Sequence, residues 1–321
     1  MTLKLVRLFA VSILTFAAMS RAADESPAFE IPKLTDVKID GKGDEWAGKG
    51  FSVESLCDVA GKTRTPANFN ASFKLGWDER GLLVLVTVTD DVALEPAEKL
   101  EDLWQGDSIE FFLATKRGSD QSYQVVIAPG RDPKKPELRS NISDYRKGTA
   151  KKEKLTIEAV RTTNDKGYVI EALLPWKNLG IEAKDGAEIA FQLYANDADK
   201  ENERYQALWY PKPDAHSDTH NTYTLKLSDA KTSAPVIAAA AGNYDADGKA
   251  QIVIVASDSF TSKSVTVKDG DKALGDFKFE ADNGRAVAKV SLPKPEKPYG
   301  TLTASVGADV LCSIKIPEPV K

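Results

Sequence analysis

One short segment, Leu103–Glu110 (LWQGDSIE), combines side chains that could recognise a polar ligand. Trp104 lies beside Gly106, just before a strand-like run, so we expect its indole ring where a loop meets a sheet. An exposed indole face stacks on the apolar face of a pyranose ring, while nearby polar groups bind the hydroxyls. Glu110 is the first candidate for such a polar contact. The alternative is that Trp104 is a core or rim aromatic and Glu110 a solvated strand residue.

Strand alternation separates the two carboxylates that follow Trp104. Asp107 falls on the same face as Ile109 and Phe111, whereas Glu110 falls on the opposite face. The two carboxylates are therefore not the acid and base of a glycosidase, which must face one bond. The sequence also contains none of the common hydrolase or nucleotide-binding motifs. It predicts a protein that is not an enzyme; the alternative is an enzyme whose two catalytic carboxylates are distant in sequence and converge in the fold.

Oxygen ligands at two strand ends predict a metal site. Asp90 and Asp91 end one apolar run, and Asn196, Asp197 and Asp199 end another. Carboxylate and carbonyl oxygens suit calcium, which we expect in a structural role. The alternative is that these residues only terminate strands and begin turns.

The histidines point to no other metal chemistry. His216 and His220 have the spacing of two ligands on a helix, but Pro211 and Pro213 argue against a helix there. With no cysteine nearby, a zinc site is disfavoured. A haem held by His and Met is excluded after the first 22 residues, because both methionines lie within them.

Many short alternating runs, separated by turn signals, predict an all-β protein. Before residue 230 these runs predict a sandwich or a jelly roll; they are Phe73–Trp77, Leu82–Thr89, Ser108–Ala114, Tyr123–Ala128, Thr156–Thr162, Tyr168–Leu174, Glu188–Asn196 and Thr222–Leu227. The basic, polar stretch Arg131–Lys154 is interpreted as a solvated loop. Ser228–Pro235 is the predicted linker, and the alternating runs beyond it predict a smaller immunoglobulin-like β-sandwich. The predicted domains are residues 23–230 and 231–321.

The N-terminal segment predicts export. Lys4 and Arg7 precede the apolar run Leu8–Ala18, and small residues follow at a cleavage position, so residues 1–22 are predicted to be a secretory signal peptide. The apolar run is too short to span a bilayer. We therefore expect a secreted or periplasmic protein without membrane insertion.

The charge of the chain argues against nucleic-acid binding, and its two cysteines leave two possible states. With 43 basic and 48 acidic residues and a net charge of −5, the chain lacks the basic surface that nucleic-acid binding requires. Cys57 and Cys312 lie far apart in sequence. An oxidising compartment permits a disulfide between them, and two buried thiols are equally consistent with the sequence.

Several segments resemble one known family in order and spacing. From about Ile39 to Leu227 they are Ile39–Gly41 (IDG), Asp44–Trp46 (DEW), Leu75–Asp78 (LGWD), Leu103–Ala114, Tyr168–Trp176 (YVIEALLPW) and Phe191–Asp199 (FQLYANDAD). Together they are similar to carbohydrate-binding modules of family 9. The resemblance implies a jelly-roll-like sandwich, structural calcium at the Asp90 and Asn196–Asp199 strand ends, and a cleft for the terminal sugars of a polysaccharide.

The resemblance also implies roles for single residues. Trp104 matches one aromatic wall of the sugar cleft, and Glu110 matches a glutamate that binds sugar hydroxyls; Gln124 and Asn196 are candidates for further polar contacts. The second wall falls at about His216, with Trp209 as an alternative, and Gln124 stands where the family has an arginine. Imidazole buries less area than indole, and glutamine brings no charge.

These observations lead to two functional hypotheses. The first is an exported, non-catalytic protein that binds the ends of polysaccharides or oligosaccharides, with a glycan-degrading enzyme or a surface assembly as candidate partner. The second is a surface or scaffold protein that keeps the fold with a degenerate sugar site. The departures at His216 and Gln124 are the reason for the second hypothesis.

Overall fold

A computed structural model describes residues 27–230 and 238–317. The predicted signal peptide, residues 1–22, and most of the predicted linker lie outside the described residues. Among the residues described, no helix is both long and apolar enough to cross a membrane. Short 3-10 helices occur at Asp44–Trp46, Leu100–Gln105, Gly148–Lys152, Trp176–Asn178 and Asp258–Phe260.

Residues 27–230 fold into strands that form two sheets. The strands are β1 (Ala28–Pro32), β2 (Phe51–Val53), β3 (Phe69–Trp77), β4 (Gly81–Asp90), β5 (Ser108–Ala114), β6 (Ser122–Ala128), β7 (Arg139–Asp144), β8 (Glu158–Asn164), β9 (Gly167–Pro175), β10 (Glu188–Lys200), β11 (Glu203–Leu208) and β12 (Tyr223–Ser228). The larger sheet has the order β1-β12-β10-β5-β6-β7, with β11 also paired to β10, and the smaller sheet has the order β2-β3-β4-β9-β8.

The two sheets pack face to face around one apolar core. Phe73 of the smaller sheet and Phe191 of the larger sheet lie in the same buried cluster, with ring centroids 6.3 Å apart. Residues of β5 at alternate positions, Ile109 and Phe111, point into this core. The prediction of an all-β sandwich is confirmed.

Four of the five tryptophans are buried in the described structure, and Trp104 is the exposed one. Trp46, Trp77 and Trp176 are buried. Trp209 is also fully buried, and its ring lies 4.4 Å from that of Tyr223. Because Trp209 follows the end of β11 and packs inside the apolar core, it cannot form a cleft wall, and that suggestion is wrong.

Residues 238–317 form two four-stranded sheets around a second core. The strands are β13 (Ala239–Tyr244), β14 (Ala250–Ala256), β15 (Ser264–Asp269), β16 (Lys272–Lys278), β17 (Glu280–Asp282), β18 (Arg285–Leu292), β19 (Thr301–Val306) and β20 (Asp309–Lys315). The sheet orders are β13-β14-β18-β17 and β16-β15-β19-β20. Cys57 and Cys312 are both buried as free thiols, and burial raises the pKa of each.

Candidate functional site

A row of polar side chains crosses the face of the larger sheet that points away from the core. The row is possible because strands β11, β10, β5, β6 and β7 are neighbours in the sheet. Glu110 belongs to this face because its neighbours Ile109 and Phe111 point into the core.

The buried carboxylate of Glu110 lies at the centre of the row. Its Oε1 accepts hydrogen bonds from Asn196 Nδ2 at 2.8 Å and Gln206 Nε2 at 3.2 Å, and its Oε2 accepts one from Gln124 Nε2 at 2.7 Å. Gln206 Nε2 also donates to Asn196 Oδ1 at 2.9 Å, and the Tyr145 hydroxyl donates to Gln124 Oε1 at 2.9 Å. The five side chains therefore form one continuous hydrogen-bonded line.

Two opposing effects act on Glu110. Burial raises the pKa of its carboxyl group, and the hydrogen bonds from Asn196 and Gln124 oppose that shift. Amide donors that converge on one carboxylate hold it in a single position. An ionised carboxylate can accept about four hydrogen bonds, so Glu110 keeps acceptor capacity for a ligand hydroxyl.

A pocket of about 420 Å³, termed the face pocket, lies on this row. Its lining residues are Glu101, Trp104, Glu110, Phe112, Gln124, Val126, Asn141, Ser143, Tyr145, Tyr194, Arg204, Gln206, Pro213, Asp214 and His216. Two aromatic rings are exposed there, Trp104 at 38% and Tyr145 at 36%. Both the volume and the mixture of aromatic and polar groups fit a small-ligand site, for which about 300–1,000 Å³ is usual.

An apolar anchor holds the loop that brings His216 to the face pocket. The rings of Phe112 and Tyr194 lie 4.5 Å apart and pack with Leu208 and Ala215. The backbone N–H of Ala215 donates to the Tyr194 hydroxyl at 3.1 Å. Since His216 follows Ala215 directly, this contact fixes where the loop meets the pocket.

Arg204 adds a positive charge beside Trp104. Its guanidinium carbon lies 4.6 Å from the centre of the indole ring, and Nη1 donates to the Trp104 carbonyl at 3.2 Å. Burial lowers the pKa of Arg204, and the charge of Glu110 opposes this effect. Cation and ring thus stabilise each other's positions.

The structure brings the predicted ligand residues together. Trp104, Glu110, Gln124 and His216 all line the face pocket. Asn196 is fully buried and reaches the pocket through its bond to Glu110.

Sequence reasoning missed the contributions of β7 and β11. The stretch interpreted as a solvated loop, Arg131–Lys154, contains strand β7, and that interpretation is wrong for Arg139–Asp144. The strand is polar and only half-buried, so it shows no apolar alternation. Tyr145, Arg204 and Gln206 are site residues that the sequence does not mark.

A second group of polar residues lies on the core-facing side, where the two sheets meet at one end. Oxygen atoms of Asp90, Asp107 and Asp197 all lie within 4.8 Å of one another, and the three residues, termed the acid cluster, are buried. Asp90 ends β4, Asp107 precedes β5, and Asp197 lies in β10. The clustering follows from alternation, which turns Asp107 to the side opposite Glu110.

Two arginines neutralise part of the acid cluster. Arg131 forms an ion pair with Asp90, and Arg64 Nε lies 2.8 Å from Asp197 Oδ2. Both carboxylate oxygens of Asp197 nevertheless lack a hydrogen-bond donor with suitable alignment within the described part of the chain. Three carboxyl groups therefore share two guanidinium groups.

Burial is the main electrostatic effect in the acid cluster. It raises the pKa of Asp197 to about 7 and also raises the pKa of Asp107, where the charge of Asp90 adds to the shift. Asp107 accepts two backbone N–H donors, from Leu94 and Ala198, whereas Asp197 has no aligned donor among the described residues. Buried carboxylates that converge in this way are a ligand set for a hard cation such as calcium. The residues therefore fit a bound cation.

The acid cluster contains only part of the predicted ligand set. Asp90 and Asp197 belong to it, but Asn196 does not, because alternation places it on the opposite face of β10 from Asp197. Asp91 is exposed and accepts a hydrogen bond from Asn68 Nδ2 at 2.9 Å. Asp199 is paired with Arg64 Nη1 at 2.6 Å. The third member, Asp107, was not predicted as a ligand.

Most of the first sandwich matches a known protein family. Residues 39–230 match the family model described as "Carbohydrate family 9 binding domain-like". The chain belongs to this carbohydrate-binding family, as its sequence segments indicated.

Solved structures of low sequence identity are also similar to the chain. A family 9 carbohydrate-binding module from Caldicellulosiruptor kristjanssonii in complex with cellotriose is 19% identical, with a TM-score of 0.48, covering 65% of this chain and 98% of its own. The same organism's module in complex with glucose gives 19% identity and a TM-score of 0.48, covering 65% of this chain and 100% of its own. Among curated proteins, none matches the chain.

Proposed function

We propose that the protein is an exported, non-catalytic carbohydrate-binding protein that recognises terminal sugars of a polysaccharide or oligosaccharide in the face pocket. The observation that carries the proposal is the meeting of an exposed indole, Trp104, with a fixed carboxylate, Glu110, in one pocket. A pyranose ring offers an apolar face for the first and hydroxyl groups for the second. The glucose and cellotriose bound by the Caldicellulosiruptor modules support neutral hexoses as the first ligands to test.

The surroundings of Glu110 favour binding over catalysis. A general acid or base must be free to exchange a proton with the substrate. Glu110 instead accepts hydrogen bonds from three amide side chains, Asn196, Gln206 and Gln124. These amides orient the carboxylate for hydroxyl recognition.

We further propose that calcium binds the acid cluster and stabilises the sandwich. Asp90, Asp107 and Asp197 would hold it, and the ion would supply the positive charge that the cluster lacks. The cluster lies on the opposite side of the larger sheet from the face pocket, so its role is structural. A glycan-degrading enzyme or a surface assembly is the proposed partner.

Calorimetric titration tests the sugar proposal. The purified chain is titrated with glucose, cellobiose, xylobiose and the hits of a glycan array, in parallel with Trp104→Ala and the control Val160→Ala, an exposed apolar residue of the other sheet. We expect binding that Trp104→Ala weakens by about tenfold or more, as loss of roughly 1.5 kcal/mol of stacking requires. Absence of binding would favour the scaffold hypothesis, whereas binding that Trp104→Ala leaves intact would contradict the assignment of the site to the face pocket.

A further inference from the structure

A second cavity adjoins the face pocket. This cavity, termed the edge pocket, has a volume of about 480 Å³ and is lined by Pro96, Trp104, Gln105, Glu201, Asn202 and Arg204. Trp104 and Arg204 also line the face pocket. These two side chains therefore form a ridge with a cavity on either side.

The ridge presents binding groups to both cavities. The Trp104 indole is 38% exposed, and the guanidinium of Arg204 lies 4.6 Å from its centre. Across the part of the chain that the structure describes, the Arg204 side chain makes one hydrogen bond, to the Trp104 carbonyl, and no ion pair with a carboxylate. Since a guanidinium carries five N–H donors, most of them remain for a ligand on the ridge.

The edge pocket has the polar groups that sugar hydroxyls require. Asn202 occupies the turn between β10 and β11 with a φ of 64°, and Gln105 ends the 3-10 helix that carries Trp104. Glu201 contributes a carboxylate on the same side. Donors and acceptors beside an exposed indole repeat the composition of the face pocket.

We propose that a glycan crosses this ridge, with its terminal sugar in the face pocket and the following units in the edge pocket. This inference rests on the proposed function and extends it from single terminal sugars to a stretch of oligosaccharide. The ligand class is a neutral, hydroxyl-rich chain longer than the face pocket alone accommodates. Affinity should therefore increase with chain length.

The test compares ligand length with pocket-specific variants. Calorimetry measures the affinity of cello- and xylo-oligosaccharides, from monosaccharide to hexasaccharide, for the unaltered chain, Asn202→Gly and Gln105→Ala. Glycine retains the backbone conformation of Asn202 while removing its side chain. Asn283→Gly is the matched control, because Asn283 has a φ of 52° in a turn of the second sandwich.

The ridge proposal predicts how affinity changes with ligand length. We expect affinity to rise by about tenfold beyond the shortest ligand that binds, equivalent to about 1.4 kcal/mol. Asn202→Gly and Gln105→Ala should remove that rise without changing the affinity of the shortest ligand, and Asn283→Gly should change neither. Affinity independent of length would overturn the ridge proposal and leave the proposed function intact, whereas absence of binding at every length would overturn both.

Discussion

At the scale of single residues, three amide side chains donate hydrogen bonds to the carboxylate of Glu110 and favour its charged form. Glu110→Gln keeps the shape of the side chain but removes the charge and turns an NH2 group towards neighbouring amide donors. Because a buried group that loses its partners costs about 1–3 kcal/mol, we expect sugar affinity to fall by about tenfold or more. Calorimetry with the ligand identified for the unaltered chain measures the effect.

A control for this substitution lies in the same pocket. Glu101→Gln changes an exposed carboxylate whose only ion pair is a long one with Lys99, at 3.9 Å, among the described residues. We expect its effect on affinity to be small. Equal losses for Glu101→Gln and Glu110→Gln would contradict a specific role for the Glu110 carboxylate.

The acid cluster predicts a stability that depends on pH and on calcium. Burial raises the folded-state pKa of Asp197 from 3.8 to about 7, so in chelator the folded chain binds more protons than the unfolded chain in this interval. The contribution of Asp197 to the melting temperature in chelator should therefore be largest below pH 4. It should decrease as the pH rises from about 4 through about 7. Calcium needs ionised ligands, so the stabilisation it adds should grow over the same range.

Two substitutions assign that effect to the cluster. Asp197→Asn should abolish the calcium-dependent rise in melting temperature, whereas Asp91→Asn, at an exposed position outside the cluster, should retain it. Thermal unfolding with calcium and with chelator measures both. A calcium effect that survives Asp197→Asn would place the ion elsewhere.

At the scale of elements, alternation within β5 made much of the site predictable. Asp107 and Glu110 lie on opposite faces, as the period of two requires, which separates the acid cluster from the face pocket. The same period applied to β10 would have separated Asn196 from Asp197. What alternation cannot supply is register, and Gln206 meets Asn196 only because β10 and β11 pair at that point.

The loop carrying His216 shows a second limit of sequence reasoning. Its position depends on contacts between residues in different elements, which include the apolar packing of Ala215 and the hydrogen bond from the Ala215 backbone to Tyr194. Tyr194→Phe removes the acceptor and keeps the ring against Phe112. We expect a stability loss of about 1 kcal/mol and weaker sugar binding, measured by denaturant unfolding and calorimetry. Unchanged affinity would show that the loop is not held by this bond.

At the scale of the whole molecule, Arg285 connects the two sandwiches. Its guanidinium donates to the carbonyls of Arg64 and Phe69 at 2.6 and 3.2 Å, and to Asn70 Oδ1 at 2.9 Å. Arg64 is also the residue whose side chain pairs with Asp197. A residue of the second sandwich thus supports the segment beside the acid cluster.

Arg285→Met should weaken this connection by roughly 2 kcal/mol, since hydrogen bonds from charged donors are lost. All five tryptophans lie in the first sandwich, so their fluorescence reports its unfolding, while far-ultraviolet circular dichroism reports both sandwiches. We expect the two transitions to separate in Arg285→Met and to coincide in the control Lys289→Met, an exposed lysine of the same strand. Coincident transitions in both variants would show that Arg285 does not couple the sandwiches.

The pairing of β1 with β12 has a consequence for the order of folding. It is a parallel pairing between the first and last strands of the first sandwich, with Ala28 opposite Thr224. Strand β1 can therefore take its place only after nearly the whole of that sandwich has been synthesised. Such distant pairings slow folding to the millisecond-to-second range and leave an early strand edge open meanwhile. The final kinetic phase of refolding should accordingly report the arrival of β1 at the sheet edge.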